Sequence, residues 1–479
     1  LTGNTRYDNN RLLSGLELRS GETYDYQKAE SHAKGILKLY RENGYIDAKV
    51  VQRPEFVQGV ANIANAVFEI TEGRQFRIGR VDITGNEATQ DKVVRHVLDE
   101  YGFAPGALYN ADMAPKEQGG QLERYIQRAT LADQAIIMPV PVADDPNRMD
   151  ARVDIKEGLT GMWNPGVGIG SDSGVIGQLI FQQRNFDITD TPESLGDLIR
   201  MKAFRGAGQT LRIALQPGTR VSQYSVAWTE PYFRDRPTSL DVVGSYYERG
   251  RESYDEERLK AYLGFEQRLK GKWRRSIGFR AESVDIGNID TDAPKEIWRV
   301  EGSNALAGVR VGGGRDMTDD KFNPSTGYTF DTGYEQVTGD HNFGILSGVY
   351  IRYMTLHEDL LDRKTVLAAK LRAGTVAGSA PPFEKFYGGG TGTYGIRGFE
   401  YRGVSTRGLQ TNVPTPERKD PIGSDWIFLA NTEVIVPMVG ENLSWLVLVD
   451  SGLIDSGGYR AAVGTGIQIL IPQWFGPVP

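Results

Sequence analysis

Few side chains in this sequence are equipped for covalent chemistry. Cysteine is absent, which excludes disulfides, thiolate metal ligands and a cysteine nucleophile. The four histidines, His32, His96, His341 and His357, include no close metal-spaced pair, so neither a metal nor a cofactor is expected. Gly312-Gly313-Gly314-Arg315 and Gly388-Gly389-Gly390 superficially resemble phosphate loops. Neither is followed by Lys-Ser/Thr or by a helix, so both read as turns. Asp316, Asp319 and Asp320 could gather around calcium, although an acidic turn is the simpler reading. What remains is electrostatic. Ile396-Arg397-Gly398-Phe399 sits in a glycine-dense stretch, and Glu433 and Asp450 follow on short strand-like runs. An arginine held in a confined space needs a carboxylate partner. A guanidinium forks onto a carboxylate through two parallel hydrogen bonds, which lysine cannot copy. This inventory supports binding rather than catalysis, and the chain is expected not to be an enzyme.

Composition narrows what could position such a trio. At 479 residues several domains are expected. Hydrophobic residues make up 39% of the sequence, and the mean hydropathy of −0.40 holds no run approaching the ~20 apolar residues of a spanning helix. Two classes survive: a soluble β-rich protein, or a transmembrane β-barrel whose alternating strands escape hydropathy. The 58 glycines and 22 tyrosines favour the barrel, because glycine serves tight bends and tyrosine suits interfacial girdles. The net charge of −7 argues against nucleic acid as a partner. Leu1 is not a start methionine, so the chain is expected to be a fragment or mature portion.

Residues 1–157 read as two copies of one α/β module with a period of roughly eighty residues. In the second, a strand at Gln75–Thr84 shifts phase at Gly79-Arg80, Gly85-Asn86 turns the chain, and Thr89–Tyr101 is helical with Val93, Val94, Val97 and Leu98 on one face. A second helix is expected over about Ala111–Leu131, then strands near Ala135–Val142 and Met149–Lys156. The first copy lacks an opening strand. Gly3-Asn4 matches Gly85-Asn86, a helix at about Asp25–Asn43 carries Ala29, Ala33, Ile36, Leu37 and Tyr40, and Gly44 ends it. Both copies leave on Glu-Gly, at Glu72-Gly73 and Glu157-Gly158.

From Gly158 helical periodicity vanishes. Leu211, Ile213 and Leu215 alternate with Arg212, Ala214 and Gln216; Leu367, Ala369 and Leu371 face away from Ala368, Lys370 and Arg372. Fourteen strands are expected, near 161–171, 174–186, 208–217, 219–231, 238–249, 256–268, 273–284, 298–313, 326–337, 344–356, 364–377, 425–437, 443–452 and 459–472. The stretch 378–424 has no alternation and is far longer than a hairpin connection.

These residues resemble the BamA/TamA superfamily of outer-membrane assembly and translocation barrels, with periplasmic POTRA modules ahead of the barrel. The module marks are Gly85-Asn86 with Thr89, the Gly44-Tyr45-Ile46-Asp47-Ala48 exit and the two Glu-Gly ends. The barrel marks are Thr229-Glu230-Pro231-Tyr232-Phe233, Phe322-Asn323-Pro324 before Gly327, Ile396–Phe399, Asn431-Thr432-Glu433 before Pro437, Val449–Gly452, and the ending from Gly464-Thr465-Gly466-Ile467 to Phe475-Gly476-Pro477. The resemblance covers nearly the whole chain. It implies an N-terminally truncated POTRA module at 1–73, another at 74–157, and an antiparallel transmembrane β-barrel at 158–479 with a long internal loop at 378–424. Sixteen strands belong to the family, so two are expected to be missing after about fourteen here.

The resemblance further implies that Arg397 re-enters the barrel on the long loop and pairs with Glu433 and Asp450, with Ile396, Gly398 and Phe399 completing the lock and Phe399 anchoring the tip. It places a lateral seam at the glycine-rich first strand, over Gly166, Val167, Gly168, Ile169 and Gly170, where poor pairing could admit a client strand. The expected function is folding and insertion of β-barrel proteins into the outer membrane. Expected partners are unfolded outer-membrane proteins, accessory lipoproteins or periplasmic factors, and the lipid bilayer. The alternatives are a secretion transporter of the same superfamily, or a passive porin with periplasmic adaptors.

Overall fold

A computed structural model of the chain describes residues 1–469 apart from 17, 19, 59–62, 118, 171–172, 195, 198–202, 321–322, 360, 362, 440–441 and 456–457. The end of the first expected barrel strand, Phe322 of the Phe-Asn-Pro mark, the tail of the last strand and the Phe475-Gly476-Pro477 ending fall outside the described residues. Two compact units emerge: Leu1–Gly161 with Gln183–Gln209, and Met162–Gln182 with the chain from Thr210.

The first unit holds both α/β modules. Module one contains α1 (Asn9–Leu13), α2 (Tyr26–Glu42), β1 (Lys49–Phe56) and β2 (Ala64–Thr71), the strands paired antiparallel. The Asp25 side chain caps α2 by accepting from the Gln27 and Lys28 amides. Ala29, Ala33, Ile36 and Tyr40 then pack on Phe68 and Ile70 of β2. Module two contains β3 (Arg77–Thr84), α3 (Asp91–Glu100), α4 (Gln121–Thr130), β4 (Gln134–Pro141) and β5 (Arg148–Lys156), in strand order β3-β5-β4. The phase shift at Gly79-Arg80 is a bulge: the register slips between Ile78 and Val81, and the Arg80 amide donates to Asp150 at 2.6 Å. Helix α4 starts ten residues later than the sequence pattern suggests (121 against 111). Asn110 accepts from the amides of Asp112 and Met113, and Pro115 interrupts the run. Buried Ala111 and Ala114 therefore supply an apolar signal from a turn.

The sequence repeat has a physical basis at the opening turn. Gly3 and Gly85 adopt φ of 84° and 79°, where a Cβ would stand 2.0 Å and 2.1 Å from the carbonyl oxygens of Ile70 and Ile155. Asn4 donates to Tyr7 O and Asn9 Oδ1; Asn86 donates to Thr89 O and Asp91 Oδ1. The exit-strand glutamate closes each turn. Glu72 accepts from the Thr5 and Arg6 amides, and Glu157 from those of Ala88 and Thr89.

The second unit is built on one antiparallel sheet of fourteen strands, whose ends at Gly161, Gln183–Phe186 and Arg205–Gln209 fall within the first unit. They are β6 (Gly161–Gly170), β7 (Gly174–Phe186), β8 (Arg205–Gln216), β9 (Val221–Glu230), β10 (Thr238–Gly250), β11 (Asp255–Arg268), β12 (Trp273–Gly287), β13 (Gly302–Asp316), β14 (Gly327–Gly339), β15 (Phe343–Glu358) and β16 (Lys364–Gly378). The small pair β17 (Arg407–Leu409) and β18 (Arg418–Pro421) follows inside the long segment, then β19 (Trp426–Val439), β20 (Leu443–Ile454) and β21 (Arg460–Ile469) complete the sheet. A four-residue helix, α5 (Lys295–Trp298), precedes β13, which begins at Gly302, four residues after the expected start at 298. Alternation gives this sheet an inverted polarity. Leu259 and Leu263 of β11, Ile277 and Phe279 of β12, and Val309 and Val311 of β13 are exposed. Glu256 and Glu282, at the opposite phase, are buried. An apolar exterior around a charged interior is the reverse of a water-soluble sandwich and suits lipid as the outer solvent.

Substituting Gly85→Ala should destabilise module two by about 1–3 kcal/mol, because an αL residue must also displace the Ile155 carbonyl; a thermal melt with hydrogen exchange at residues 84–100 measures it. In module one, burial raises the Glu72 carboxyl, but hydrogen bonds from Arg6, Thr5 and Tyr40 outweigh that and bring it to about 2 from 4.5. A depressed folded value makes its contribution complete above pH 4.5, and it is lost as pH falls toward 2. Glu72→Gln should therefore flatten the acid limb of module stability in that window. An unchanged acid unfolding profile would contradict it.

Candidate functional site

Residues 379–425 leave β16 and rejoin the sheet at β19, and they return against its enclosed face. Phe386 and Ser424 exchange backbone hydrogen bonds, as do Gly388 and Val404. The Gly390 amide donates to Phe399 O at 2.8 Å. The triple glycine is thus the inner edge of a folded segment, not a phosphate loop: at Gly389, with φ of 103°, a Cβ would lie 2.2 Å from Glu400 O. The sheet yields to the segment at Gly374, where a Cβ would meet the Phe386 ring at 2.4 Å.

This fold brings Arg397 to two carboxylates. On β19 and β20, Asn431 lies opposite Asp450 and Glu433 opposite Leu448, so Glu433 and Asp450 occupy diagonal positions of one face. Arg397 forks onto Asp450, with Nε to Oδ2 at 2.7 Å and Nη2 to Oδ1 at 2.7 Å, while its own amide adds a third donor at 2.9 Å. Its Nη1 lies 2.5 Å from Glu433 Oε1. Asp450 is 1% exposed, against 30% for Glu433, so the Asp450 pair carries the larger cost of being left unmatched. Lys370 and Arg372 of β16 share this face, opposite Asn431 and Leu429 of β19. They stand at inward phase in the sequence, which is the signal that could have added them to the trio.

The neighbours of Arg397 divide the work differently from the sequence expectation. Ile396 is fully buried among Phe386, Val404, Ile427, Leu429 and Ile454, whereas Phe399 only packs against the rim of that cluster. The apolar anchor is therefore Ile396, because its side chain points to the sheet while Phe399 follows a turn. Gly398 has φ of 90°, and a Cβ there would stand 3.2 Å from the Ala462 side chain of β21. The motif thus touches three consecutive strands. Arg402 was not singled out by sequence, yet it is 3% exposed, ion-paired to Glu252 at 2.9 Å and stacked 3.9 Å over the Tyr387 ring.

The seam residues lie on β6, which ends the sheet among the described residues. Val167 and Ile169 are 78% and 83% exposed. Pro165, in the same strand, has no amide to donate, as suits an edge. Asp316, Asp319 and Asp320 accept from amides and hydroxyls of their own turn, Thr318, Asn323, Ser325 and Thr326.

Comparison with known proteins agrees with this architecture. Residues 203–478 match the Omp85 superfamily domain, and residues 1–73 and 76–158 each match the POTRA model, described as a surface antigen variable number repeat. Outer membrane protein assembly factor BamA of Neorickettsia risticii is 22% identical over 95% of this chain and 59% of its own length. BamA of Nitratidesulfovibrio vulgaris is 26% identical over 92% of this chain and 51% of its own length, so the chain spans little more than half of these relatives. Among solved structures, Haemophilus ducreyi BamA lacking POTRA domains 1–3 superposes with a TM-score of 0.57 at 18% identity, covering 97% of this chain and 92% of that one. CdiB from Acinetobacter baumannii gives 0.52 at 12% identity, covering 97% and 80%. Both superpositions speak to fold alone.

Replacing Arg397 should loosen residues 394–400 in a graded way. Arg397→Lys keeps the charge but loses the fork, costing about 1–2 kcal/mol. Arg397→Ala strands buried Asp450 and costs about 2–3 kcal/mol, less than a fully buried pair because the guanidinium is partly solvated. Asp450→Asn should exceed Glu433→Gln. Protease cleavage rates within the segment, measured on folded chain in detergent, test the ranking.

Proposed function

The chain belongs to the Omp85 superfamily, outer-membrane β-barrels with periplasmic POTRA modules, and on that premise we propose that it folds and inserts β-barrel proteins into the outer membrane. The observation that carries this reading is the first strand. Strand β6 combines Pro165, Gly166, Gly168 and Gly170 with the exposed side chains of Val167 and Ile169, and a Cβ at Gly168 would meet no other atom within 4 Å. Such a strand holds its partner weakly. Unsatisfied backbone groups cannot face lipid, so a parted edge favours capture of an incoming strand by main-chain hydrogen bonds.

Other features support the same reading. Strand β1 is paired only with β2 among the described residues and exposes Val51 and Phe56, an edge on which an unfolded client could add a strand. The Arg397 lock keeps the long segment folded and reaches β21 through Gly398, so the segment is rigid where the sheet must be adaptable. Clients would be unfolded outer-membrane proteins, with accessory periplasmic factors at the modules. No step requires a cofactor.

Depletion separates this reading from export of one soluble substrate by a protein of the same fold. Quantitative proteomics of the outer membrane should show many barrel proteins falling together. Loss of a single secreted protein, with the barrel proteins unchanged, would assign export instead. A second test strengthens the first strand: Gly168→Val fits the open space, and a gain of about 0.5–1 kcal/mol in strand pairing should slow client insertion about two- to fivefold. Insertion at the parent rate would remove β6 from the mechanism.

A further inference from the structure

The Arg397 lock fastens the tip of the long segment. Its root is fastened elsewhere, by charge that the lock does not use. Glu384 lies in a single 3-10 turn, Pro382–Glu384, just after the chain leaves β16. Its side chain is 5% exposed. Oε1 accepts from Arg258 Nη1 at 2.9 Å and Arg280 Nη1 at 3.3 Å, and Oε2 accepts from Arg280 Nη2 at 3.0 Å. Arg258 also donates to the Phe383 carbonyl and lies 5.4 Å over the Phe383 ring. One strand arginine thus grips two consecutive residues of the segment.

These arginines are held from behind. Arg258 of β11 and Arg280 of β12 both donate to Glu282, at 3.2 Å and 2.9 Å, and Arg258 donates to Glu256 as well. Arg280 Nε lies 2.9 Å from Glu335 Oε1 of β14, although β13 runs between their strands. The reach is possible because β13 carries Gly308 there, where a Cβ would stand 2.6 Å from Glu335 Oε1 and 3.3 Å from Arg280 Nε. Without Glu384 the two guanidiniums would keep Glu256, Glu282 and Glu335, but among the described residues the root of the segment would keep only the Phe383 carbonyl on Arg258 as a hydrogen bond to those strands.

We propose that Glu384 is a second, independent positioning residue, which ties the root of the re-entrant segment to β11 and β12 while Arg397 ties its tip to β19 and β20. Four strands, β13 to β16, separate the two attachments in the sheet. The segment is therefore a tie between distant strands, and each end can be released alone. This holds whether or not the protein inserts clients, since it concerns only how the segment is fixed.

Hydrogen exchange followed by mass spectrometry on the full chain, folded in detergent, reads each end separately. Glu384→Gln should speed exchange at residues 380–388 about tenfold while residues 394–400 stay within about twofold of the parent. Arg397→Ala should give the reverse pattern. Glu384→Asp retains the charge and should recover part of the protection at 380–388, which a packing role alone would not produce. The proposal is overturned if Glu384→Gln leaves 380–388 unchanged, or if either variant loosens both ends equally. Should Glu384→Gln fail to fold, Glu384→Asp decides: partial loss confined to 380–388 supports the tie, and parent-like exchange there refutes it.

Discussion

Charge neutrality on the enclosed face is the constraint that organises the larger unit. Apolar side chains occupy the outer phase of its strands, so arginine and glutamate are left to the other phase, where solvent is scarce. A charge removed from water must be paired and hydrogen-bonded or its cost is several kcal/mol. Neighbouring strands meet part of that demand, as Glu282 does for Arg258 and Arg280. The rest is met by a segment with no alternation of its own. Its residues Glu384 and Arg397 each complete a pairing that the wall begins, and Arg402 pairs with Glu252 in the connection between β10 and β11. The long segment is thus part of the electrostatic closure of the sheet rather than an appendage to it.

The same logic explains how glycine is used. At Gly374 and Gly308 a missing side chain creates room for a ring or an ion pair from elsewhere, and at Gly389 it permits a tight backbone crossing. At Gly168 of β6 there is no close neighbour to accommodate, and the absent side chain leaves the strand short of packing there instead. One residue type therefore marks both the most crowded and the least supported parts of the sheet, and only coordinates separate the two.

Much of this organisation was legible in the sequence. Period-two alternation located fourteen strands, because each alternates between lipid-suited and polar phases over at least ten residues. The Gly-Asn and Glu-Gly marks of the repeat were legible because the turn chemistry is local. The trio of Arg397, Glu433 and Asp450 could be assembled because its members lie on adjacent elements near the end of the chain. The Glu384 cluster was not legible: its members at 256, 258, 280, 282, 335 and 384 are ordinary charges in sequence and meet only through register and a gap at Gly308. The late start of α4 is hidden because buried alanines in a turn mimic a helical stripe, and the anchoring role of Ile396 rather than Phe399 depends on which way each side chain leaves the turn, which residue type does not disclose.

The closing glutamates of the two small modules have a consequence for how such chains lengthen. Glu72 and Glu157 each fold back on the opening turn of their own module, so every cassette carries its own clasp. Among the described residues, no hydrogen bond of Glu72 or Glu157 in that clasp comes from the other cassette. In-frame duplication or loss at the Glu-Gly joint would therefore leave the chemistry that shuts each remaining cassette the same, while the packing that crosses the joint, such as Ile46 in the core of the second cassette, would have to be supplied again.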